Sequence, residues 1–291
     1  MSNENHGLGE KREFFAWRPA AWLRVSGADS FTFLQGQFSN DLRGLGAGGA
    51  IYGLWLNHKG RVLADSFVLR GKGAEEFWVG SYFSAAAVIR ERLEAFIIAD
   101  DVIVEDETER WAGVTRFGME EGNAGGSEAF MFRGRRGVEP CWEIVGPLGE
   151  AELGTPLTAV EMERRRIEAG IPAVPRDIGP GELPNEGGLE TAAISYTKGC
   201  YLGQEVMARL KSMGQVRRRL LRVKGAGVVP GLPAELFQGE RRVGELRSAV
   251  ADATGTGFVG LALVTLLNLR AGGPLATAAG GEEVIQILDT P

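Results

Sequence analysis

The hydrophobic pattern of this chain changes near residue 209, and this change constrains the fold more than any other feature of the sequence. Before it, strand-like runs with alternating apolar residues are mixed with helix-like runs, and residues 51–56 and 62–69 flank a turn as in a β-hairpin. After it, short strands are separated by glycine-rich turns. The pattern predicts an α+β region over residues 1–212 and a small antiparallel β-barrel over residues 213–291, with the boundary near Ser212.

The charge of the chain excludes several classes of function. Its 291 residues contain 32 lysines and arginines against 38 aspartates and glutamates, which gives a formal net charge of −6. No global basic field is present, so direct nucleic-acid binding is not expected. The polar N-terminus lacks the apolar core of a signal peptide, and no apolar run reaches the roughly 18 residues that span a bilayer. We therefore expect a cytoplasmic protein without a membrane partner.

The chain has few side chains that bind metals or form disulfides. Its histidines are His6 and His58, and its cysteines are Cys141 and Cys200. A zinc site with three or four His and Cys ligands would need nearly all of them, so no metal site is expected. Without a secretory signal, the two cysteines are expected to be reduced thiols.

Two further motifs have simple structural interpretations. Residues 255–260 match the dinucleotide fingerprint G-x-G-x-x-G by letter, but the surrounding sequence predicts strands instead of the βαβ unit that this motif requires. Three arginine clusters could each bind a phosphate or carboxylate, although such runs more often form a solvated face. The clusters are Arg133, Arg135 and Arg136; Arg164, Arg165 and Arg166; and Arg217, Arg218 and Arg219.

A cysteine in a glycine-rich turn is the strongest candidate for chemistry. Cys200 follows Gly199, which lets a ligand approach the backbone closely, and precedes a short helix predicted from about Gly203. A helix N-terminus and a neighbouring lysine, here Lys198, both stabilise a thiolate. Cys200 is therefore a candidate reactive thiol, and the alternative is a small buried hydrophobic residue. Cys141 begins a strand-like run and is expected to be packed.

The segment that contains Cys200 resembles a known family signature. Residues 198–209 read K-G-C-Y-L-G-Q-E-V-M-A-R. This resembles the signature K-G-C-[YF]-x-G-Q-E-x-x-A-R of the YgfZ-type folate-binding proteins, relatives of the T-protein (aminomethyltransferase) of the glycine cleavage system. The matching positions are Lys198, Gly199, Cys200, Tyr201, Gly203, Gln204, Glu205, Ala208 and Arg209. The resemblance extends to residues 33–41, 57–60, 166–172 and 214–220, and it covers nearly the whole chain.

This resemblance implies a fold, a cofactor and a set of binding residues. The implied fold has two mixed α/β lobes around a central folate cavity, with the C-terminal barrel closing the ring. The implied cofactor is tetrahydrofolate, in mono- or polyglutamylated form, and an arginine cluster would contact the carboxylates of a polyglutamate tail. Glu168 would bind the pterin ring, because its two oxygens can accept from adjacent N–H groups. The remaining implied cofactor-binding positions are Gly199, Tyr201, Gln204, Glu205 and Arg209.

One departure from the T-proteins separates the competing functions. T-proteins carry an Asp-Asp pair where this chain has Ala64 and Asp65. Because one of the two aspartates is absent, the resemblance favours a folate-binding accessory protein for iron–sulfur client enzymes or assembly proteins over a T-protein enzyme. In it, Cys200, beside Lys198, acts as thiolate toward a cluster, a one-carbon unit or a client. Two cysteines cannot form a usual four-cysteine cluster, so no permanent cluster is expected.

Two alternatives remain open at this point. The first is a folate-dependent aminomethyltransferase or demethylase that retains Asp65 as its acid/base group. The second is a tRNA-binding module that uses the arginine clusters, against which the acidic net charge argues.

Overall fold

The computed structural model describes residues 13–46, 48–119, 129–147, 155–214, 216–267, 269–270 and 272–289. The helices in this part of the chain are α1 (Ser30–Gln37), α2 (Ala86–Glu94), α3 (Ala159–Glu168) and α4 (Gln204–Met213). The strands are β1 (Glu13–Trp17), β2 (Ala21–Ser26), β3 (Ala50–Leu56), β4 (Val62–Arg70), β5 (Glu76–Ser81), β6 (Ile103–Asp106), β7 (Trp111–Phe117), β8 (Phe130–Arg133), β9 (Cys141–Pro147), β10 (Thr155–Pro156), β11 (Arg218–Ala226), β12 (Ala234–Gln238), β13 (Arg241–Ala251), β14 (Gly257–Thr265) and β15 (Ile285–Ile287).

The strands form three five-stranded sheets. Sheet I has the order β10-β1-β7-β9-β8, sheet II the order β3-β4-β5-β2-β6, and sheet III the order β12-β13-β14-β11-β15. Strand β1 belongs to sheet I although the next five strands build sheet II, so the two N-terminal sheets are interleaved along the chain. Mixed sheets and helices of this kind are the α+β architecture that the sequence pattern predicts.

Sheet II packs against other elements on both of its faces. Successive side chains on a strand point in opposite directions, so neighbouring residues belong to different cores. Trp22, Phe67 and Trp78 face sheet I, where they pack with Trp111 and other side chains. The rings of Trp78 and Trp111 have centroids 4.9 Å apart. The neighbouring residues in the three strands, Leu23, Val68 and Val79, belong instead to the core under α1 and α2.

Side-chain caps are present at some helix N-termini and absent at others. At α3, the sequence Thr-Ala-Val-Glu at residues 158–161 predicts a capping box. The structure confirms it: Thr158 Oγ1 accepts from the backbone N–H of Glu161, and the Glu161 carboxylate accepts from the N–H of Thr158. At α1, the sequence predicts Asp29 or Ser30 as the cap, but Asp29, the residue at the N-cap, makes no side-chain capping bond. Its carboxylate accepts from the backbone N–H of Asp101 instead, 2.8 Å away.

Sheet III is the C-terminal antiparallel sheet that the sequence predicts. Isolated bridges join Phe237 to Ala276 and Leu275 to Ile285, so the segment at 275–276 connects the two edge strands β12 and β15 and curls the sheet toward a barrel. The G-x-G-x-x-G match at residues 255–260 lies at the turn between the antiparallel strands β13 and β14. This confirms that the motif does not open a dinucleotide-binding βαβ unit. The division at Ser212, which lies in the last turn of α4, remains a prediction.

The proline- and glycine-rich loop after α3 crosses the molecule without forming a sheet strand. The residue types at 193–196 predict a strand, but this prediction is wrong because the segment pairs with no strand of a sheet. Its polar groups bond instead to Ser39, which accepts from Ser195 N–H and donates through Oγ to the carbonyl of Ala193. None of the helices in the described ranges combines the length and the apolar character that a bilayer-spanning helix requires.

Candidate functional site

Three of the sequence segments that carry the family resemblance meet in space. Lys198 is 4% exposed, and its ammonium donates to the carbonyl oxygens of Gln35, Phe38 and Asn40 at 2.5, 2.6 and 3.0 Å. These carbonyls lie at and beyond the C-terminus of α1, where the helix dipole favours a cation. Burial lowers the pKa of Lys198 to about 8. Lys198 thus ties the Cys200 loop to the segment at 33–41.

The orientation of Lys198 changes its expected role. The sequence suggests that Lys198 stabilises a thiolate on Cys200. In the structure all three ammonium protons have carbonyl partners, so none is free for a hydrogen bond to sulfur. Through these carbonyls Lys198 anchors the Cys200 loop to the end of α1.

The N-terminus of α4 packs on the β3–β4 hairpin loop. Gly203, with φ of +88°, precedes α4, and a Cβ placed on it would lie 3.0 Å from the Asn57 carbonyl oxygen and 3.1 Å from the Gly60 Cα. Gly60 has φ of +67°, and its Cβ position would lie 2.7 Å from the methyl of Met207. Two facing glycines therefore allow the segment at 198–209 to contact the segment at 57–60.

The two cysteines differ in their environments. Cys200 is exposed, in the turn before α4, whereas Cys141 is 2% exposed at the start of β9. Burial and the carboxylate of Glu143 raise the pKa of Cys141 to about 12, which disfavours its thiolate. The prediction that Cys141 is packed is confirmed, and the reactivity of Cys200 remains a prediction.

The other signature residues have separate surroundings. Tyr201 is 6% exposed, lies under the Lys198 ammonium, and has a buried hydroxyl without a hydrogen-bond partner in the described part of the chain. Glu205 and Arg209 are exposed and form an ion pair of 2.6 Å along α4. Gln204 begins α4, and Gly199 is exposed with open space at its Cβ position. Their cofactor-binding roles remain predictions.

Asp65 is the centre of a buried polar cluster on β4. It is 5% exposed, and its Oδ1 accepts from the hydroxyls of Ser81 and Ser84 at 2.9 and 2.7 Å. Its Oδ2 accepts from the Tyr52 hydroxyl at 3.0 Å. Burial raises the pKa of Asp65, while the three hydroxyl donors and the positive charge of Arg135 oppose this effect. The cluster holds a carboxylate that can exchange a proton more readily than an exposed aspartate at neutral pH.

A second buried carboxylate lies next to this cluster, on sheet I. Glu143 is fully buried and accepts from Thr115 Oγ1 at 2.8 Å, Tyr82 at 2.8 Å and Arg136 Nε at 3.2 Å. Arg135 connects the two clusters: its guanidinium lies 3.8 Å from the Tyr52 ring centroid, and its backbone N–H donates to the Tyr82 hydroxyl at 3.2 Å.

No motif in the sequence connects the four residues that form this group in the structure, which are Tyr52, Tyr82, Arg135 and Glu143. Two signals in the sequence could have indicated it. One is the doublet Arg135-Arg136 between two glycines, which suggests a tight loop with inward side chains. The other is Glu143, a charged residue at an inward position of a strand whose alternate residues are apolar.

Glu168 lies outside these clusters, at the C-terminal end of α3. Its carboxylate is exposed and lines a pocket of about 240 Å³ together with Phe117, Gly137, Val138, Glu139 and Arg165. Gly137 and Val138 belong to the same β8–β9 loop that carries Arg135. This loop therefore borders both the Glu168 pocket and the Asp65 cluster.

Four of the nine arginines in these clusters form ion pairs with other described residues of the chain. Arg136 pairs with Glu143, Arg165 with Glu13, and Arg218 with Glu186. Arg166 is 2% exposed and donates to Asp177 at 2.7 Å. The description of these clusters as solvated faces is therefore wrong for these members. Among the described residues, no group of three or more His, Cys, Asp or Glu side chains could hold a metal ion.

The chain is similar to known proteins in both sequence and structure. The family profile of the GCVT N-terminal domain matches residues 13–118. The human mitochondrial iron-sulfur cluster assembly factor IBA57 is 31% identical over 305 residues, which cover 92% of this chain and 82% of the human protein. The tRNA-modifying protein YgfZ of Yersinia enterocolitica is 31% identical over 131 residues, covering 43% of this chain and 39% of that protein.

A solved structure has the same overall fold. The glycine cleavage system aminomethyltransferase T from Bartonella henselae superposes with a TM-score of 0.75, covering 95% of this chain and 85% of that one at 19% identity. The chain therefore has a mixed α/β fold like that of the glycine cleavage T-protein.

Proposed function

Because the chain belongs to the GCVT-domain family that includes the iron–sulfur cluster assembly factor IBA57 and YgfZ, we propose that it is a folate-binding accessory protein for iron–sulfur enzymes. It binds tetrahydrofolate, and it acts through the Cys200 thiol during assembly or repair of client enzymes. Its partners are the client enzymes or the proteins that assemble their clusters.

The single observation that carries the folate assignment is the buried polar group around Asp65 and Arg135. Arg135 Nη1 is a buried donor with no hydrogen-bond partner in the described ranges, and the nearby rings of Tyr52 and Tyr82 are half-buried. Such surroundings suit a planar heterocycle with polar edges. The exposed carboxylate of Glu168 beyond the same loop has no partner among the described residues, and it can accept from the pterin N–H groups. Bound tetrahydrofolate supplies the capacity to carry a one-carbon unit.

The Cys200 thiol is the group we assign to the cluster or client step. It is exposed and lies on the N-terminal side of α4, where the helix field favours an anion. The Lys198 anchor and the facing glycines Gly60 and Gly203 hold its loop in place. One exposed thiol can supply one ligand, so a cluster at Cys200 is a transient substrate whose other ligands come from a client or assembly protein.

A second candidate function rests on Asp65 itself. A buried carboxyl with a raised pKa beside the proposed folate site can act as a general acid or base, as an aminomethyltransferase or demethylase requires. Release of ammonia from an aminomethyl donor that depends on a lipoyl carrier protein would separate this activity from the accessory role.

Calorimetric titration of the full chain with tetrahydrofolate tests the proposed function. The wild type is expected to bind, and Glu168→Gln is expected to lose about 1–3 kcal/mol of binding free energy because one acceptor becomes a mispaired donor. Glu94→Gln, which alters an exposed ion pair with Arg90 on α2, is the control. Absence of binding by the wild type would reject the folate assignment, and equal affinity of Glu168→Gln would reject the role of Glu168.

A further inference from the structure

We propose that Arg135 recognises the 4-oxo group of the bound pterin and thereby sets the specificity of the site for 4-oxo over 4-amino pterins. This inference rests on the proposed folate function and deepens it. It concerns one donor atom, Nη1 of Arg135, which is buried and has no hydrogen-bond partner among the described residues.

The position of the Arg135 guanidinium is fixed from two sides. It stacks on the Tyr52 ring, 3.8 Å from the centroid, and the Arg135 backbone N–H donates to the Tyr82 hydroxyl. Both tyrosines are held by buried carboxylates, Tyr52 by Asp65 and Tyr82 by Glu143. The guanidinium is therefore restrained on its planar face, while its Nη1 edge lacks an acceptor.

Neither neighbouring carboxylate supplies that acceptor. Asp65 accepts from three hydroxyls, and Glu143 accepts from Tyr82, Thr115 and Arg136. A buried guanidinium N–H without a partner destabilises the protein, and a ligand oxygen would remove this cost. The side chain of Arg135 is half-buried, as are Tyr52 and Tyr82, so the cluster reaches the surface along these three residues. We infer that the partner missing among the described residues is an acceptor on a bound ligand.

A reduced pterin presents such an acceptor next to two donors. Its 2-amino group and N3–H donate, and the adjacent 4-oxo group accepts. Glu168 can only accept and Arg135 can only donate, so together they match this edge of the ring. Arg135 belongs to the β8–β9 loop, and Glu168 lies beside the same loop. Gly137 and Val138, two and three residues after Arg135, line the Glu168 pocket. A 4-amino group would place a donor against the Arg135 donor.

The test compares tetrahydrofolate with tetrahydroaminopterin, in which a 4-amino group replaces the 4-oxo group and N3 consequently carries no hydrogen. In calorimetric titration, the wild-type chain is expected to bind tetrahydrofolate about tenfold or more tightly than tetrahydroaminopterin. The 4-oxo group accepts a hydrogen bond from the charged Arg135 side chain, whereas the 4-amino group places a second donor against it. Arg135→Met is expected to lower this ratio several-fold, and the remaining preference comes from N3 of tetrahydroaminopterin, an acceptor that opposes the Glu168 carboxylate. Arg133→Met is the matched control, because Arg133 is exposed and stacks on Trp142 at 4.7 Å. It is expected to keep the wild-type ratio.

The outcomes are distinguishable. If Arg135→Met weakens both ligands equally and keeps their ratio, Arg135 only supports Tyr52, or it binds another acceptor such as the carboxylate of the glutamate tail, and the inference is wrong. If Arg135→Met does not fold, equal binding of the two ligands by the wild type still overturns the inference while leaving the folate function intact. If neither ligand binds the wild type, the proposed function fails together with the inference.

Discussion

Asp65 shows how burial controls the chemistry of single residues in this protein. Its carboxyl is held by three hydroxyl groups inside the chain, and burial raises its pKa above the ordinary value of about 3.9. Ser81 and Ser84 could not be assigned to this carboxyl from the sequence, because their strand-end positions carry no motif. Asp65 itself could be identified from the sequence, because it aligns with one aspartate of the Asp-Asp pair of T-proteins and this alignment needs no knowledge of the fold.

Asp65→Asn is expected to raise the thermal stability at neutral pH while weakening tetrahydrofolate binding. The raised pKa means that the native chain binds this proton more readily than the unfolded chain does. Stability therefore falls as the pH rises from about 4 through the folded-state pKa, and the loss is complete above it. Asparagine removes this loss and can still accept from the serine hydroxyls.

Thermal melting of the wild type and Asp65→Asn at a series of pH values measures this effect. The stability difference should be largest at neutral pH and should shrink toward pH 4. A variant that is less stable than the wild type at neutral pH would show that the charged form of Asp65 is favoured in the native state.

Lys198→Met is expected to destabilise the chain by about 1–3 kcal/mol, because three carbonyl oxygens lose their donor inside the protein. Lys211→Met is the control, since Lys211 is exposed and its ammonium lies over the ring of Tyr196. It should change the free energy of unfolding by less than about 0.5 kcal/mol. Urea denaturation measures both values. Equal effects of the two substitutions would mean that Lys198 does not anchor its loop.

At the scale of elements, the contact between α4 and the β3–β4 hairpin loop positions Cys200. Gly203 and Gly214 flank α4, and both have positive φ, but only Gly203 lies against another backbone. Gly203→Ala therefore combines a conformational cost with a steric one, whereas Gly214→Ala has the conformational cost alone. We expect Gly203→Ala to be the more destabilising by about 1–2 kcal/mol. Denaturation midpoints that agree within error would argue against a tight contact at this loop.

The elements differ in how far the sequence could predict them. The hairpin at 57–60, the capping box at Thr158 and the start of α4 each follow from a local pattern, and the structure confirms all three. The run at 193–196 has the composition of a strand but bonds to Ser39, which is about 150 residues away in sequence and cannot be read from local periodicity. Likewise, the meeting of Tyr52, Arg135 and Glu143 depends on how sheets I and II pack.

At the scale of the whole molecule, a buried ion network joins α3 to sheet III. Arg166 donates to Asp177 and Glu163 and to the hydroxyl of Ser248 on β13, and Ser248 donates to Asp177. Asp177→Ala would remove one of the two carboxylates that pair with the buried Arg166 guanidinium, together with the acceptor of the Ser248 hydroxyl, with an expected loss of about 3–5 kcal/mol. Chemical denaturation should show this loss in a single transition if α3 and sheet III unfold together. Loss of less than about 1 kcal/mol would mean that the network does not join them.

The central claim, that Cys200 carries out the function of a folate-binding accessory protein for iron–sulfur enzymes, is tested most directly by complementation. Cys200→Ser and Cys141→Ser are expressed at matched levels in cells that lack the gene and show an iron–sulfur enzyme defect. Serine keeps the size of cysteine but is a poor soft-metal ligand and nucleophile. Cys141→Ser is expected to restore client-enzyme activity, and Cys200→Ser is expected to fail although it folds. Full complementation by Cys200→Ser would contradict the claim.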